Sequence, residues 1–296
     1  SGKISHFVKP RHLGMTIIGI SMAVLFTIMH SQLQAQYRLS DQVPAGKQSV
    51  ETSSRIDQFL EGATPLHILI EWPADKSLRE DVEVLDAIEE AHRIMEEQAG
   101  VANVWSVAAL RRWLRENQGE KSAEPKFVGE YLDKMPVHLL NRFVNEKRNS
   151  AIITGRVPDI DAKDTLPILK GIEDELHKKL PSGHKMNIRV TGLSSVSAIQ
   201  SSTMINQLNR GLAAAVIMVI FLIGFAFRSR EVALLSIVPN LLPIAAAGAM
   251  LFVNNLGLEY ASVIGLTVAF GLAVDDSIHF LNRLHLERQR TDSQET

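Results

Sequence analysis

Two adjacent carboxylates, Asp275 and Asp276, stand near the end of an apolar segment, in the stretch GLAVDDSIHFLNR from Gly271 to Arg283. The run from Tyr260 to Val274 carries no charge, but it is only 15 residues long. At about 1.5 Å per residue it covers roughly 22 Å, which is short of a hydrocarbon core of about 30 Å. A helix that crosses a membrane here must therefore carry both carboxylates with it. Ionisable side chains inside a bilayer are costly and mark functional sites.

Helical spacing places further polar residues on the same face as Asp275. Residues three or four apart share one face of a helix. Thr267, Gly271, Asp275 and His279 are each four residues apart, and Asn282 follows three residues later. The sequence therefore predicts a stripe of small, polar and ionisable side chains on an otherwise apolar helix.

A carboxyl pair of this kind suits proton transfer. Asp276 lies about 100° around the helix from Asp275, so both can line one crevice without pointing at each other. Apolar surroundings make a charged carboxylate costly, and two neighbouring carboxyls titrate as one coupled unit. The pattern predicts a carrier that loads a proton on one side and releases it on the other. His279 could extend this relay toward the cytoplasm.

Simpler explanations of the same residues stay open. The aspartates could merely mark the cytoplasmic end of a span that starts earlier, and His279 could reach headgroups or water. Metal binding is disfavoured because one helix face offers too few convergent ligands. No organic cofactor is expected either.

Four apolar runs indicate four membrane helices, at Leu13–Met29, Gly211–Phe227, Val232–Val253 and from Tyr260 onward. The first is long for a signal peptide and lacks a good cleavage site, which favours a membrane anchor. The second can extend outward as one helix from Ser194.

Several residues in these runs are expected to shape helix packing. Pro239 and Pro243 are predicted to kink or pack the third helix, and Asn240 between them could form an interhelical hydrogen bond. Gly265 and Gly271 in the fourth run would let another backbone approach closely.

The loop charges predict one topology. Basic residues flank the runs at Lys3, Lys9 and Arg11, at Arg228 and Arg230, and at Arg283, Arg288 and Arg290, whereas the turn Asn254–Glu259 has no Lys or Arg. The positive-inside rule then puts the amino terminus in the cytoplasm. We expect a cytoplasmic flank and first membrane helix over 1–34, an exterior domain over 35–200, three membrane helices over 201–286 and a cytoplasmic tail over 287–296.

The exterior portion alternates strand and helix patterns. Strands are predicted at Leu66–Trp72, Val101–Val107, Ala151–Val157 and Met186–Thr191, and helices at Ser77–Gln98, over 108–148 with breaks near Gly119, Pro125 and Pro136, and at Asp161–Leu180. This order is typical of a split βαβ, ferredoxin-like sandwich. The predicted fold class is thus a mixed membrane protein, with an α-helical transmembrane bundle and an exterior α+β ferredoxin-like domain. Trp72, Trp105 and Trp113 are expected in a core or interface, and the acids of 80–97 on a solvated helix face.

Composition excludes several classes of function. The chain of 296 residues has no cysteine, so disulfides and thiolate metal sites are ruled out. A sequence pI near 6.6 without a basic stripe gives no support to nucleic-acid binding. The sequence also lacks a nucleophile elbow and a phosphate-binding glycine loop, which argues against an enzyme.

The stretch around the aspartates, together with FRSREVALLSIVPNLLP over Phe227–Pro243, resembles the resistance–nodulation–division (RND) superfamily of proton-driven exporters. The likeness is closest to predicted lipid or hydrophobe exporters with MmpL-like and sterol-sensing-type membrane domains. It implies that Asp275 and Asp276 carry the coupling proton and that residues 35–200 form a porter domain that handles substrate. Members of this superfamily contain two halves of six helices each, so the chain resembles part of the second half of such a protein.

The resemblance implies a secondary transporter that exports a lipidic or hydrophobic substrate from an inner membrane by proton antiport, with a large periplasmic domain. Its expected partners are membrane lipids, the remaining half of the transporter and further copies of itself. No cofactor is expected, because the proton gradient drives transport. Two alternatives remain open: a sterol- or lipid-sensing membrane protein that binds ligand without pumping, and an accessory subunit of protein secretion.

Overall fold

A computed structural model describes residues 12–38, 40–42, 48–180 and 186–292. The chain divides into two compact units. The helical unit comprises residues up to Gln36 and from Ser202 onward, and the sheet unit comprises Tyr37–Ser201. The predicted basic flank at positions 3, 9 and 11 lies outside the described residues, as do the side chains at positions 288 and 290.

The described helices and strands succeed one another along the chain as α1 (His12–Ser31), α2 (Gln48–Phe59), β1 (Thr64–Glu71), α3 (Val82–Glu97), β2 (Ala102–Trp105), α4 (Val107–Gln118), α5 (Pro125–Asp133), α6 (Val137–Leu140), β3 (Val144–Asn145), β4 (Ser150–Val157), α7 (Ala162–Lys179), β5 (Asn187–Thr191), α8 (Leu193–Ala226), α9 (Arg230–Val253) and α10 (Tyr260–Asp292). Short 3-10 turns occur at Ser40–Gln42, Glu120–Ala123 and Glu146–Arg148.

Within the described part of the chain, four helices are long and apolar enough to cross a membrane: Leu13–Ser31, Leu193–Ala226, Arg230–Val253 and Tyr260–Leu284. Many of their large apolar side chains, such as Ile17, Phe221 and Leu272, lie on the outside of the chain. Such a surface suits hydrocarbon rather than water. The chain is therefore a multi-pass membrane protein, as the apolar runs predict.

Helix α9 contacts both α1 and α10. Its buried residues recur every three or four positions and are mostly small or polar: Ser236, Asn240, Ile244, Ala245, Gly248 and Ala249. Small side chains let membrane helices approach closely, because packing rather than the hydrophobic effect holds them together.

The sheet unit is built on an antiparallel sheet in the strand order β2–β4–β1–β5, with the short β3 also pairing with β4. In the central pair, Ile68 of β1 lies opposite Ile153 of β4. Alternate residues of β1 (Leu66, Ile68 and Ile70) are fully buried, and the core that they form also includes residues of α3 and α7. One face of the sheet is thus covered by helices, as the alternating pattern of the strands requires.

The predicted breaks in the helical stretch 108–148 are confirmed. Helix α4 ends before Gly119, whose φ of 90° favours glycine. Pro125 occupies the first turn of α5, where its missing N–H costs nothing, and Pro136 precedes α6.

Two predicted elements extended further than the structure shows. The helix expected from Ser77 begins at Val82, because Asp81 closes a turn by accepting from the Ser77 backbone N–H at 2.6 Å. The strand expected to reach Val107 ends at Trp105, because Ser106 caps α4 by accepting from the Ala108 N–H at 3.0 Å.

The tryptophans do not share one environment. Trp72 is buried in the core, but the exposed fractions of Trp105 and Trp113 are 61% and 49%. These two are therefore not core residues, and an interface position for them stays a prediction. Trp113 lies over the edge of the Tyr131 ring, with 6.5 Å between ring centroids.

Candidate functional site

The aspartate pair lies within α10, inside the stretch Tyr260–Leu284 that can span a membrane. Asp275 and His279, one turn apart, approach each other with 3.4 Å between Asp275 Oδ1 and His279 Nε2. The structure thus brings two of the three predicted relay residues into direct contact. Asp276 is exposed on the neighbouring side of the helix.

The predicted polar stripe lies on the exposed side of α10. Thr267, Gly271, Asp275, His279 and Asn282 are all exposed in the described chain. The buried residues of α10 instead include Val263, Leu266, Phe270 and Ser277. The stripe therefore faces away from the surface on which α10 packs within the helical unit.

A buried polar cluster joins α9 to α10 immediately beside the aspartates. Ser277 Oγ donates a hydrogen bond of 3.0 Å to Asn240 Oδ1, and Asn240 Nδ2 donates one of 2.7 Å to the Ser236 carbonyl. Asn240 is fully buried, and Ser236 and Ser277 are nearly so. The predicted role of Asn240 in an interhelical contact corresponds to this bond.

Ser277 was not predicted as a site residue. The available signal was its position seven residues after Phe270, because residues seven apart lie on the same helix face. The apolar residues of α10 occur all round the helix, so their pattern does not distinguish that face from the others.

Pro239 and Pro243 both lie inside α9. Each lacks a backbone N–H, so the carbonyls of Leu235 and Pro239 lose their usual helical donors. Polar side chains around such an interruption can satisfy neighbouring backbone groups in the absence of water. Close to this interruption, the Asn240 amide donates to the Ser236 carbonyl and the Ser236 hydroxyl donates to the Ala233 carbonyl, each at 2.7 Å.

The glycines behave differently from expectation. A Cβ added at Gly265 or Gly271 would meet no atom within 4 Å in the described part of the chain. Neither glycine therefore packs against another described helix, and a packing role for them stays a prediction about contacts beyond these residues.

The close approach occurs instead at Gly248 of α9. A Cβ added there would overlap the His30 ring of α1, with His30 Cγ only 2.7 Å away. His30 Nε2 lies 3.3 Å from Asn209 Oδ1 of α8, so three helices meet at this side chain. This junction was not predicted, because His30 lies just past the first apolar run and Gly248 is one of many small residues in the third.

Most acids between positions 80 and 97 are exposed, as predicted, but some of them also pair with arginines of α4. Arg111 of α4 is buried and donates to Asp86 at 2.7 Å, to Glu89 at 2.8 Å and to the Ala123 carbonyl at 3.0 Å. Arg115 also donates to Glu89, and this bond holds the pKa of Glu89 below its ordinary value. Asp86 and Glu89 of α3 thus form ion pairs with α4, whereas Glu83 and Glu97 stay exposed and pair outside α4.

His92 of α3 occupies a buried position between a hydroxyl and a carboxylate. Its Nδ1 lies 2.9 Å from Ser106 Oγ and its Nε2 lies 3.4 Å from Glu96 Oε1. The trio has the composition of a hydrolytic triad, but His92 and Ser106 are buried and Ser106 Oγ caps α4. We assign it a structural role. Burial lowers the pKa of His92, and the Glu96 carboxylate opposes that shift.

Among the residues that the structure describes, no group of three or more His, Asp or Glu side chains is placed to hold a metal ion. The arrangement on α10 is instead a carboxyl pair with a neighbouring imidazole, which can exchange protons. Ser277, which is hydrogen-bonded to Asn240 of α9, directly follows the carboxyl pair in the chain.

Comparison with known proteins relates the carboxyl-terminal helices to an export family. Residues 176–296 match the model of the family described as protein export membrane protein SecD/SecF, C-terminal. A membrane protein of Methanocaldococcus jannaschii is 19% identical to this chain. The alignment covers 97% of this chain and 75% of that relative. The carboxyl-terminal part of the chain, with the aspartate pair, is thus similar to RND-related membrane proteins of the SecD/SecF export family.

Proposed function

We propose that the chain is part of a proton-driven exporter of the RND type, which moves a lipidic or hydrophobic substrate out of the inner membrane by proton antiport. The observation that carries this proposal is the Asp275–Asp276 pair inside a membrane-spanning helix, with His279 against Asp275. The similarity of residues 176–296 to an export family supports transport over catalysis.

Protonation supplies the driving event. A charged carboxylate within the bilayer is costly, and binding a proton removes that charge. Asp275 and Asp276 can then exist in two states whose preferred surroundings differ, so α10 shifts as the proton loads and leaves. Such a change in population is how one bound ligand biases a two-state element.

Helix α8 would carry the movement out of the membrane. It runs without interruption from Leu193 to Ala226, through the point where the chain passes from the sheet unit to the helical unit. A helix of this length transmits displacement along its axis because its backbone hydrogen bonds are continuous.

The sheet unit is proposed to be the exterior porter domain. Its strand order, β2–β4–β1–β5, and its antiparallel pairing support the predicted split βαβ, ferredoxin-like arrangement. Together with the loop charges, this supports a periplasmic unit that receives or passes substrate. The proposed partners are membrane lipids, the remaining half of the transporter and further copies of the protein.

The test replaces the two carboxyls in the intact protein. We expect Asp275→Asn and Asp276→Asn each to abolish export that depends on the proton gradient, at normal expression levels. Glu259→Gln is the matched control, because Glu259 is an exposed carboxylate just before α10. Export that survives both aspartate substitutions would show that the relay is wrong, and ligand binding without gradient-dependent movement would indicate a lipid sensor.

A second candidate is an accessory role in protein secretion, and the match of residues 176–296 to a protein export family favours it. The two functions differ in their cargo, which is a polypeptide in one and a lipidic substrate in the other. Site-specific photocrosslinkers on the sheet unit separate them: crosslinks to translocating polypeptides support secretion, and crosslinks to lipid support the leading proposal.

A further inference from the structure

Asn240 and Ser277 form a polar contact in an otherwise apolar helix interface. The Ser277 hydroxyl donates to Asn240 Oδ1 at 3.0 Å, and both side chains are buried. Ile244 and Ala245 of α9 and Phe270 of α10 are buried apolar residues of the same two helices. Water cannot replace a lost hydrogen bond at such a place, so the pair holds α9 and α10 in one relative register.

Asn240 is itself held in place on α9. Its Nδ2 donates to the Ser236 carbonyl at 2.7 Å, one turn earlier in the helix. Its neighbour Pro239 restricts the backbone on the other side. The amide therefore has little freedom to turn, and it presents Oδ1 toward α10 as a fixed acceptor.

The position of Ser277 in the chain turns this contact into a constraint on the carboxylates. Successive helix residues are separated by about 100°, so with Ser277 against α9 the Asp276 side chain points about 100° away and Asp275 about 160° away. The exposed fractions of the Asp275 and His279 side chains, 69% and 77%, agree with this geometry. A rotation of α10 that moves the aspartates must break or bend the Ser277–Asn240 bond.

We propose that Asn240 and Ser277 are positioning residues, which fix the rotation of α10 and so decide where Asp275 and Asp276 meet their proton pathway. This inference rests on the proposed proton relay. In this proposal the segment Pro239–Pro243 holds the acceptor rigidly, and the hydrogen bond from Ser277 must break when α10 turns.

The experiment measures helix rotation and export in the same variants. Because the chain has no cysteine, Asn282→Cys at the exposed end of the stripe provides a background-free reporter. The rate of its reaction with a maleimide is measured in native membranes, alongside the pH profile of gradient-driven export in the same backgrounds without the reporter. The backgrounds are the unaltered chain, Ser277→Thr, Ser277→Ala, and Asn240→Leu combined with Ser277→Ala.

Ser277→Thr keeps the hydroxyl and is expected to preserve both the labelling rate and the pH profile. Ser277→Ala leaves the buried Asn240 Oδ1 without its donor and can fail to fold. The double variant replaces both partners with apolar side chains and so keeps the packing. In this double variant we expect the labelling rate to change severalfold and the pH profile of export to change shape.

A double variant that folds and keeps both the labelling rate and the pH profile overturns the proposal. The labelling rate does not depend on proton coupling, so it tests the control of α10 rotation separately from the proton relay. If the rate changes but Asp275→Asn and Asp276→Asn leave export intact, the proton relay is wrong while the control of α10 rotation by this pair stands.

Discussion

His92 shows how a single buried titratable residue ties two helices of the sheet unit together. The ring is 1% exposed and contacts Ser106, the residue that caps α4, and Glu96 on its own helix. Burial favours the neutral imidazole and lowers its pKa below the ordinary value of 6.5. The folded state therefore favours the neutral form of His92.

This gives a pH dependence of definite sign. Because the pKa of His92 is lower in the folded than in the unfolded protein, the unfolded state binds more protons below about 6.5. The contribution of His92 to stability is complete above that pH and is lost as the pH falls toward its folded pKa. We expect the hydrogen-exchange protection of α3 and α4 amides, corrected for intrinsic rates, to weaken over this range.

His92→Gln is the matched variant, since an amide can still donate and accept but does not titrate in this range. It should flatten the pH dependence between neutrality and mild acid. The loss of stability at lower pH should persist in this variant. The pKa of Glu89 is lowered in the folded state, so protonation of that carboxylate also destabilises the fold. An unchanged slope in His92→Gln would contradict the assignment.

Residue-level prediction from sequence succeeded and failed for identifiable reasons. In α3, the periodic apolar residues Leu85, Ile88 and Met95 are buried, but Val82 is 50% exposed because it begins the helix rather than continuing it. The importance of Ser277 could not be read from the chain. Lipid is as apolar as a helix interface, so hydrophobicity does not show which face of a membrane helix is packed.

At the scale of elements, the contact between α1 and α9 depends on a glycine that the sequence does not distinguish from its neighbours. The His30 ring occupies the space where a side chain at Gly248 would stand. In contrast, most strands and helices of the sheet unit could be placed from alternation, proline and glycine, although α2 and the short β3 were not predicted. Water on one side and core on the other impose a pattern there that a bilayer does not.

We expect Gly248→Ala to loosen the packing of α1 on α9, because the new methyl group overlaps the His30 ring. Overpacking of this kind costs about 1–3 kcal/mol. The measurement is the thermal unfolding midpoint of the purified protein in detergent. Gly265→Ala is the control, since its Cβ would meet open space, and an equal loss in both variants would refute the contact.

For the whole molecule, the chain passes twice between the two units, after Gln36 and after Ser201. The second passage lies inside α8, a single helix of 34 residues. The proposed coupling of proton movement to substrate movement requires that this helix stay continuous. Loop charges and the length of the apolar run predicted that this helix crosses the bilayer. The sequence could not show how movement is transmitted along it.

Two glycines inserted after Ser201 should therefore uncouple export from the proton gradient. Glycine weakens a helix interior by about 1 kcal/mol per residue, and a two-residue insertion also rotates the rest of the helix by about 200°. We expect loss of gradient-driven export, while a hydrophobic carbodiimide still labels Asp275 and Asp276. The same insertion in the turn Asn254–Glu259 is the control; normal export with the interrupted α8 would exclude the helix as the transmitting element.

Uptake and release of the coupling proton by Asp275 and Asp276 can be tested directly by infrared difference spectroscopy. Spectra of the intact protein in proteoliposomes are recorded with and without an imposed transmembrane pH gradient. We predict a carboxyl C=O band that responds to the gradient, persists in Glu259→Gln and disappears when Asp275→Asn and Asp276→Asn are combined. A gradient-dependent band of unchanged intensity in that double variant would contradict the proton-carrier role of the pair.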